Sequence, residues 1–345
     1  MKLIIQIPCL NEEKTLPATI KGIPREIKGI DCIEVLVIDD GCTDRTVAVA
    51  REMGVDHIVR FSGNRGLGHA FAAGIDRCLM LGADIIVNTD GDNQYAGSDI
   101  PKLVEPILTG QADIVIGNRQ PDTIAHFSLV KKKLQIWGSR VVSKFAGIAI
   151  PDVASGFRAY SREAAMSLVY STDFDHTVDH VIQAGRRRII TKSVPVGTNE
   201  KFRESRLFSS IWGFVFRSLG IMLRVYSSYR AMKIFATAGI VTASLGLLLG
   251  LRFLYIYFLI TTTRDLHIQS LILAAILLLA GFQMILTGIV ADLINSSRAI
   301  IEDVSYRIRR LELKQSTEDS VIIPRQSIEK TIHGDSATSI TETYL

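Results

Sequence analysis

The chain reads as an α/β protein built on a doubly wound, mostly parallel sheet, with helices suited to a membrane appended to it. Two observations predict this. Over roughly the first 120 residues, short apolar runs alternate with helical patterns, the mark of strand–helix–strand units. From about 234 to 294 the sequence turns almost wholly apolar, while the first two hundred residues have the balance of a soluble enzyme. An overall apolar share of 48% conceals that split.

The elements follow in order. Leu3-Ile4-Ile5-Gln6-Ile7-Pro8 is the first strand, and a helix opens at about Thr15, after Asn11-Glu12-Glu13. Acidic residues there suit the positive end of a helix dipole. Ile33 to Ile38 is the second strand, ending at Asp39-Asp40-Gly41-Cys42-Thr43-Asp44, where Thr43 or Asp44 is placed to cap the next helix. His57 to Phe61 is the third strand, and Asn64-Arg65-Gly66-Leu67-Gly68-His69-Ala70 leads into a helix running to about Leu81. Ala83 to Val87 is the fourth strand, Asp99 to Leu108 a helix and Ala112 to Gly117 the fifth strand. Residues 118–205 are more basic and irregular.

Several function classes are excluded at this stage. A net charge of +4, without a base-stacking motif, does not suit a nucleic-acid protein. Gly66 and Gly68 are not a dinucleotide fingerprint, which belongs after the first strand and needs a third glycine. Cys9, Cys32, Cys42 and Cys78 lack zinc-like spacing and read as reduced thiols. Met1-Lys2 leads straight into a strand pattern broken by Pro8, which is too short for a signal peptide.

The chemistry centres on Asn88-Thr89-Asp90-Gly91-Asp92-Asn93-Gln94. Two carboxylates at a strand end point into the crevice where an open α/β sheet binds ligands. Their oxygens suit Mg²⁺ or Mn²⁺, which in turn suits a diphosphate. Gly91 is expected to let the backbone turn and a ligand approach closely. Asp44, Asp99 and Asp113 read as caps or sheet-end residues. His69 and the run from Asp175 to His180 lack a third element for a second metal site.

Residues 207–233 mix Phe208, Trp212 and Phe214 with Arg217, Arg224, Arg230 and Lys233, which suits amphipathic helices at a bilayer interface. Residues 234–260 and 268–294 each exceed the ~20 apolar residues a span requires, and a short connector makes them a hairpin. Lys and Arg cluster before the first span and after the second, so both ends and the catalytic part are expected in the cytoplasm. Arg252 is expected to snorkel toward the outer interface. Residues 298–345 read as a basic juxtamembrane segment followed, from Gln315, by a disordered tail. The catalytic domain is expected over 1–206, and association of hairpins into a homo-oligomer is a further expectation.

Taken jointly, Pro8-Cys9-Leu10-Asn11-Glu12-Glu13, Asp39 to Asp44 and Asp90 to Gln94 each follow a strand of one sheet and meet at one edge. This arrangement resembles the family 2 glycosyltransferases, in particular the polyprenyl-phosphate glycosyltransferases related to dolichyl-phosphate mannose synthase, over residues 3–210. The hairpin matches membrane-anchored members. The resemblance implies a nucleotide-diphospho-sugar transferase (GT-A) fold and inversion at the anomeric carbon. By it Pro8, Leu10, Glu12, Asp39 and Asp40, with Asp90 and Gly91, line the nucleotide-sugar site, and Asp90, Asp92 and Gln94 hold the metal. Cys42 stands where the family usually has Ser, and Leu10 where it often has Tyr.

An acceptor lipid phosphate needs cationic groups near the metal. Arg119 sits where relatives carry an acceptor-phosphate arginine, and Lys132, Ser139 and Arg158 are further candidates. Arg203 lies in a stretch, Asn199 to Arg206, that resembles a loop closing over the site. An ionised phosphate needs no strong base; Asp152 matches a position proposed for that role, or it orients Arg158 or the acceptor. Two alternatives stand beside this reading. One is a polysaccharide or glycolipid synthase, although the Gln-x-x-Arg-Trp of processive enzymes is reduced to Gln135-Ile136-Trp137. The other is a non-catalytic membrane subunit of a lipid-sugar export system.

Overall fold

Five strands form where the apolar runs lie: β1 (Lys2–Cys9), β2 (Cys32–Asp39), β3 (His57–Arg60), β4 (Ile85–Asn88) and β5 (Ile114–Asn118). The central ones are buried on both faces, which is why they read as continuous apolar runs and not as alternations. Between them run α1 (Leu16–Lys21), α2 (Thr46–Glu52), α3 (Leu67–Met80) and α4 (Ile100–Leu108). The computed structural model describes residues 1–120, 129–170, 176–199, 211–259, 268–322 and 341–344. They fall into two units, Met1–Val215 with Glu302–Leu345, and Phe216–Ile301.

In the first unit, two strands that the basic region conceals complete the sheet: β6 (Arg158–Ser161) and β7 (Thr191–Pro195). The sheet also takes up β8 (Thr341–Tyr344), in the order β7-β5-β6-β4-β1-β2-β3-β8. Only β6 runs antiparallel to its neighbours β4 and β5. From β1 the chain winds outward through β2 to β3, then crosses to β4 on the other side of β1. That reversal between β1 and β4 opens the crevice beyond their carboxyl ends.

Odd-numbered β1 residues (Leu3, Ile5, Ile7), with Val35, Val37, Ile85 and Val87, pack against Leu16 and Ile20 of α1, Val47 and Ala50 of α2, and Ile100, Leu103 and Val104 of α4. Truncating one of them, Ile5→Ala for example, costs about 2–5 kcal/mol. The opposite face of the sheet carries α3. The basic region supplies α5 (Leu129–Ala146), α6 (Arg162–Ser167) and α7 (His176–Arg187). On α7, His180 is buried against Phe71, Tyr160 and Tyr170, with its Nδ1 3.1 Å from the Tyr160 hydroxyl, and Asp179 accepts from Gln183 Nε2 at 2.7 Å. Asp179 and His180 therefore belong to a packed aromatic core, while Asp175 and the side chain of His176 lie outside the described residues.

The second unit is a helical hairpin drawn from α8 (Ile211–Leu259) and α9 (Ile268–Ile322). Stretches Met232–Phe258 and Gln269–Ser297 are long and apolar enough to cross a membrane. Small residues let the two backbones meet. A Cβ on Gly239 would stand 2.6 Å from the Gly281 carbonyl oxygen, and one on Gly281 would stand 2.7 Å from the Ala243 nitrogen. Leu248, Phe258 and Leu279 point outward and are exposed.

Two expectations for this region need correction. Residues 211–233 are not a separate helix set, because α8 runs through them without a break into the first apolar stretch. Nothing in that stretch, neither Pro nor a helix-ending Gly motif, forces a stop. The tail is not wholly unstructured either: α9 continues to Ile322, and β8 pairs in parallel with β3, from His57↔Thr341 to Arg60↔Tyr344. Thr341, Thr343 and Tyr344 have the β-propensity that an open edge strand recruits.

Within the first unit the end of α9 is held firmly. Arg309 pairs with Asp76 at 3.1 Å, donates to the carbonyls of Met166 (3.3 Å) and Leu168 (3.0 Å), and lies 5.3 Å over the Tyr170 ring. Tyr306 bonds Glu163, and Leu313 is buried.

Candidate active site

The crevice is framed by side chains that tie β1, β4 and β6 together. Gln6 Nε2 donates to Asn88 Oδ1 at 3.0 Å, and Asn88 Nδ2 donates to the Gly156 carbonyl at 2.8 Å. These bonds bring the loop 152–156 to the end of β4, directly beside Asp90. A Cβ on Gly156 would stand 3.2 and 3.3 Å from the two Asp90 carboxylate oxygens, so the glycine leaves Asp90 its place.

Gly91 has a different job from the one expected. A Cβ there would meet Cys9 Sγ at 2.9 Å and Glu12 Cγ at 3.3 Å, so the residue permits close approach of the β1 loop and not of a ligand. Its carbonyl lies 2.8 Å from Thr15 Oγ1, which is also 2.8 Å from Glu12 Oε2. The left-handed turn is made instead by Asn93, at φ 57°. Asp92 Oδ1 accepts the Gln94 N–H at 3.0 Å and fixes the loop from within.

Asn199 then staples this loop. Its Nδ2 lies 3.1 Å from the Asn93 carbonyl, 3.2 Å from Asn93 Oδ1 and 3.2 Å from the Tyr95 carbonyl, while its N–H donates to Gln94 O at 2.9 Å. Tyr95 stacks on Phe157 at 5.0 Å, and its hydroxyl accepts the Gly156 N–H at 2.9 Å. Burial pushes its phenol up to about 12, so it stays protonated at neutral pH.

The donor set fits a hard divalent cation. Asp90 is half-buried; desolvation, with Asp92 and Glu12 nearby, pushes its carboxyl up to about 7 against the pull of Arg119. Two acids that resist ionising together are relieved by a cation placed between them. Among the described residues no three His, Cys, Asp or Glu side chains gather as a complete metal cage. That suits Mg²⁺ or Mn²⁺, which takes one or two carboxylates and completes its shell with substrate phosphate and water.

Arg119 follows β5 and is clamped by Asp152. Its Nε donates to Oδ2 at 2.7 Å and its Nη2 to Oδ1 at 2.9 Å, and its backbone N–H reaches Oδ2 at 3.2 Å. Gln135 Nε2 of α5 adds a bond to Oδ1 at 3.1 Å. Asp152 is wholly buried and Arg119 is 9% exposed. Asp152 thus orients Arg119, and not Arg158. With both oxygens occupied it is poorly placed to take a proton.

The expected donor-side residues all lie at this edge, but several serve the frame. Asp39, 1% exposed, accepts the Cys42 N–H at 2.7 Å and pairs with Arg60 Nε at 3.2 Å. Asp40 accepts the Arg65 and Gly66 N–H groups at 2.8 and 3.0 Å; burial nonetheless raises its pKa. Pro8 is the last but one residue of β1, Leu10 is half-buried in the turn after the strand, and Glu12 is buried. Cys42 does what a serine would: it accepts the Asn11 N–H at 3.2 Å and donates to the Cys9 carbonyl at 3.4 Å. Burial pushes its thiol up to about 12, so it remains protonated.

The acceptor-side candidates divide. Arg158 is fully buried and donates to the carbonyls of Ser155 (2.8 Å) and Val153 (2.6 Å), so it holds the Asp152 loop and does not face a ligand. Ser139 is buried too, and its hydroxyl accepts the Val153 N–H at 3.2 Å. Both are corrections: the antiparallel β6 draws Arg158 into the sheet, and α5 holds Ser139 against the loop that leads into that strand. Lys132 lies on α5 with its side chain outside the described residues, as Arg203 is altogether. Tyr95, Gln135 and Gly156 were missed. Gln135 stood only in the reduced Gln135-Ile136-Trp137 motif, and Gly156 lies between Asp152 and Arg158, both named as candidates.

The family model "Glycosyl transferase family 2" matches residues 4–169. An uncharacterized protein of Methanocaldococcus jannaschii is 30% identical over 231 residues, 65% of this chain and 93% of that protein. The undecaprenyl-phosphate mannosyltransferase of Micrococcus luteus is 27% identical over 249 residues, 65% of this chain and 99% of its own length. The UDP-N-acetylglucosamine–dolichyl-phosphate N-acetylglucosaminyltransferase of Methanococcus voltae is 26% identical over 213 residues, 56% and 83% of the two chains. With motif loops meeting at the β1/β4 switch point and this span of likeness, the chain belongs to glycosyl transferase family 2.

Proposed function

We propose that this protein transfers a single sugar from a nucleotide-diphospho-sugar to a polyprenyl phosphate, dolichyl or undecaprenyl, with inversion, at the cytoplasmic face of a membrane. The observation that carries the reading is the fixed cation Arg119, clamped by Asp152 and acting electrostatically on Asp90. A cation beside a diacid suits two anions brought together, a donor diphosphate and an acceptor phosphate. Relatives named for polyprenyl-phosphate acceptors but for different sugars support the acceptor class and leave the sugar open.

Asp90, Asp92 and Gln94 are the residues that would hold Mg²⁺ or Mn²⁺. When bound, the ion supplies neutralising charge to the departing nucleoside diphosphate. The chain's own residues do the rest. The Asn199 staple and the Asp92–Gln94 bond hold the loop's geometry. Asp152 and Gln135 fix the guanidinium plane of Arg119, leaving Nη1 for an acceptor oxygen. An ionised phosphate attacks the anomeric carbon without surrendering a proton, so Asp152 acts as an anchor and not as a base. The two apolar stretches hold the site at a bilayer, with both ends of the chain cytoplasmic by the distribution of Lys and Arg.

The test uses membranes containing the protein, radiolabelled nucleotide sugars, polyprenyl phosphate, and Mn²⁺ or EDTA. Metal-dependent label in the organic phase that mild acid releases is the expected result. Label in an aqueous polymer or in an acid-stable glycolipid would overturn the acceptor assignment.

A further inference from the structure

Beyond Ser297, α9 leaves its mostly apolar stretch and becomes charged, yet it keeps an apolar line, with Ile300 (65% exposed) beside its start. Ile301, Val304, Ile308 and Leu311 are 67%, 47%, 50% and 62% exposed, far above what core residues of these types show. Their spacing of three, four and three is the a/d register of a coiled coil, with Ile301 and Ile308 at a, and Val304 and Leu311 at d. The register also explains the other side of the helix. Tyr306 and Leu313 fall at f, diametrically opposite the a/d seam, and Arg309 at b; these three are the residues held against the catalytic domain. The helix is thus anchored by its back, and its apolar edge has no cover among the described residues.

We infer that this edge is a self-association surface, paired in parallel with the same helix of a second copy of the chain. Three features favour that occupant. Ile301 and Ile308 at a, with Leu311 at one d position and Val304 at the other, favour parallel pairing. Arg307, which pairs with Asp303 of its own helix at 2.9 Å, falls at g and Glu312 at the following e, both exposed, so two parallel copies bring opposite charges together on each flank. Arg310 and Asp303, on the outer flank at c, keep the edge narrow, which fits a helix seam better than a broad protein surface. Only the parallel direction rests on the proposed membrane insertion, because copies inserted in one membrane share an orientation. The seam spans two heptads, so the pairing is weak alone and draws on the adjoining helices for strength.

The test uses the full-length protein in its membranes, with exposed Cys32 replaced by Ser. Single cysteines at seam positions, Ile308→Cys and Leu311→Cys, are expected to give an oxidised dimer, whereas Arg310→Cys is not. Equal crosslinking at all three positions, or none at the seam, overturns the inference. So does protection of both seam cysteines by lipid without crosslinking, which would make the bilayer surface the occupant. In a second arm, Val304→Asp with Ile308→Asp is expected to halve the particle mass in mild detergent while the melting of the catalytic domain is unchanged; an unchanged mass overturns the inference. Flotation of the same sample on lipid separates the two readings. Crosslinks that survive without flotation leave the seam standing and remove the membrane assignment.

Discussion

Arg119 and Asp152 meet fork to fork, at 2.7 and 2.9 Å, with almost no solvent on either side. Breaking a buried pair from one side strands the other charge, at a cost of about 3–5 kcal/mol. Asp152→Asn is therefore expected to lower thermal stability together with transfer. The pH–rate profile of the residual activity should keep its shape. A stable variant that has lost only the acidic limb of the profile would make Asp152 the base.

Asp92→Ala removes half of the diacid and the acceptor for the Gln94 N–H. Transfer should fall by about 10²–10³-fold, the usual scale for loss of a charge-stabilising group at a reacting centre. Membrane insertion and far-UV circular dichroism should be unchanged. Substantial residual turnover would remove Asp92 from the metal site.

Gly156→Ala places a methyl 3.2–3.3 Å from both oxygens of Asp90. The neighbouring Gly156 N–H···Tyr95 hydroxyl bond limits how far the loop can retreat. A displaced ligand should weaken Mn²⁺-dependent nucleotide binding, with turnover reduced by roughly 10²-fold, the scale of a misplacement near 1 Å. Titration calorimetry with a panel of nucleoside diphosphates and Mn²⁺, set against each nucleotide alone, isolates the metal-dependent part.

Glu34 bridges Lys2 Nζ at 2.8 Å and His57 Nε2 at 2.8 Å across β1, β2 and β3. Burial raises its pKa, but Lys2 and His57 more than offset that, and the net shift is downward. A depressed folded-state carboxyl stabilises the fold above its unfolded pKa, and that contribution is lost as pH falls through the folded value. Wild type should therefore lose roughly 1 kcal/mol more than Glu34→Gln between neutral and strongly acidic pH. Melting temperatures across that range would show it; parallel curves for the two proteins would refute it.

The hairpin prediction is steric. Gly281→Val puts branched carbon where the Ala243 nitrogen and Gly239 carbonyl already lie within 2.7 Å of a single Cβ. The two helices must separate, and proteolysis of membrane-extracted protein should quicken. Ala at Gly250, where a Cβ would be 3.9 Å from its nearest neighbour, is the tolerated control.

The sequence exposes this architecture unevenly, for physical reasons. β1, β2 and β4 are apolar on both faces, so their runs are visible without partners, and the metal loop is visible because it follows one of them directly. β6 is hidden: it starts at a buried arginine, and its place depends on antiparallel neighbours at positions 85–88 and 114–116. The role of Arg158 was misjudged for the same reason, since a side chain's facing depends on which strand lies beside it; those of Ser139 and Gly91 are set by loops from elsewhere in the chain that pack against them. Gln135–Asp152 and Asn199–Asn93 join residues far apart in the chain, which no local period records.

The pairing of β8 with β3 fixes an order of events during synthesis. Residues 341–344 emerge about 280 residues after β3, once both apolar helices have been made. At ~5–20 residues per second the far edge of the sheet stays unpaired for roughly 15–60 s. Throughout that interval β3 is an open template on a nascent chain already committed to its hairpin. The emergence of Thr341–Tyr344 from the ribosome is then the step that closes this edge of the sheet to neighbours on the polysome.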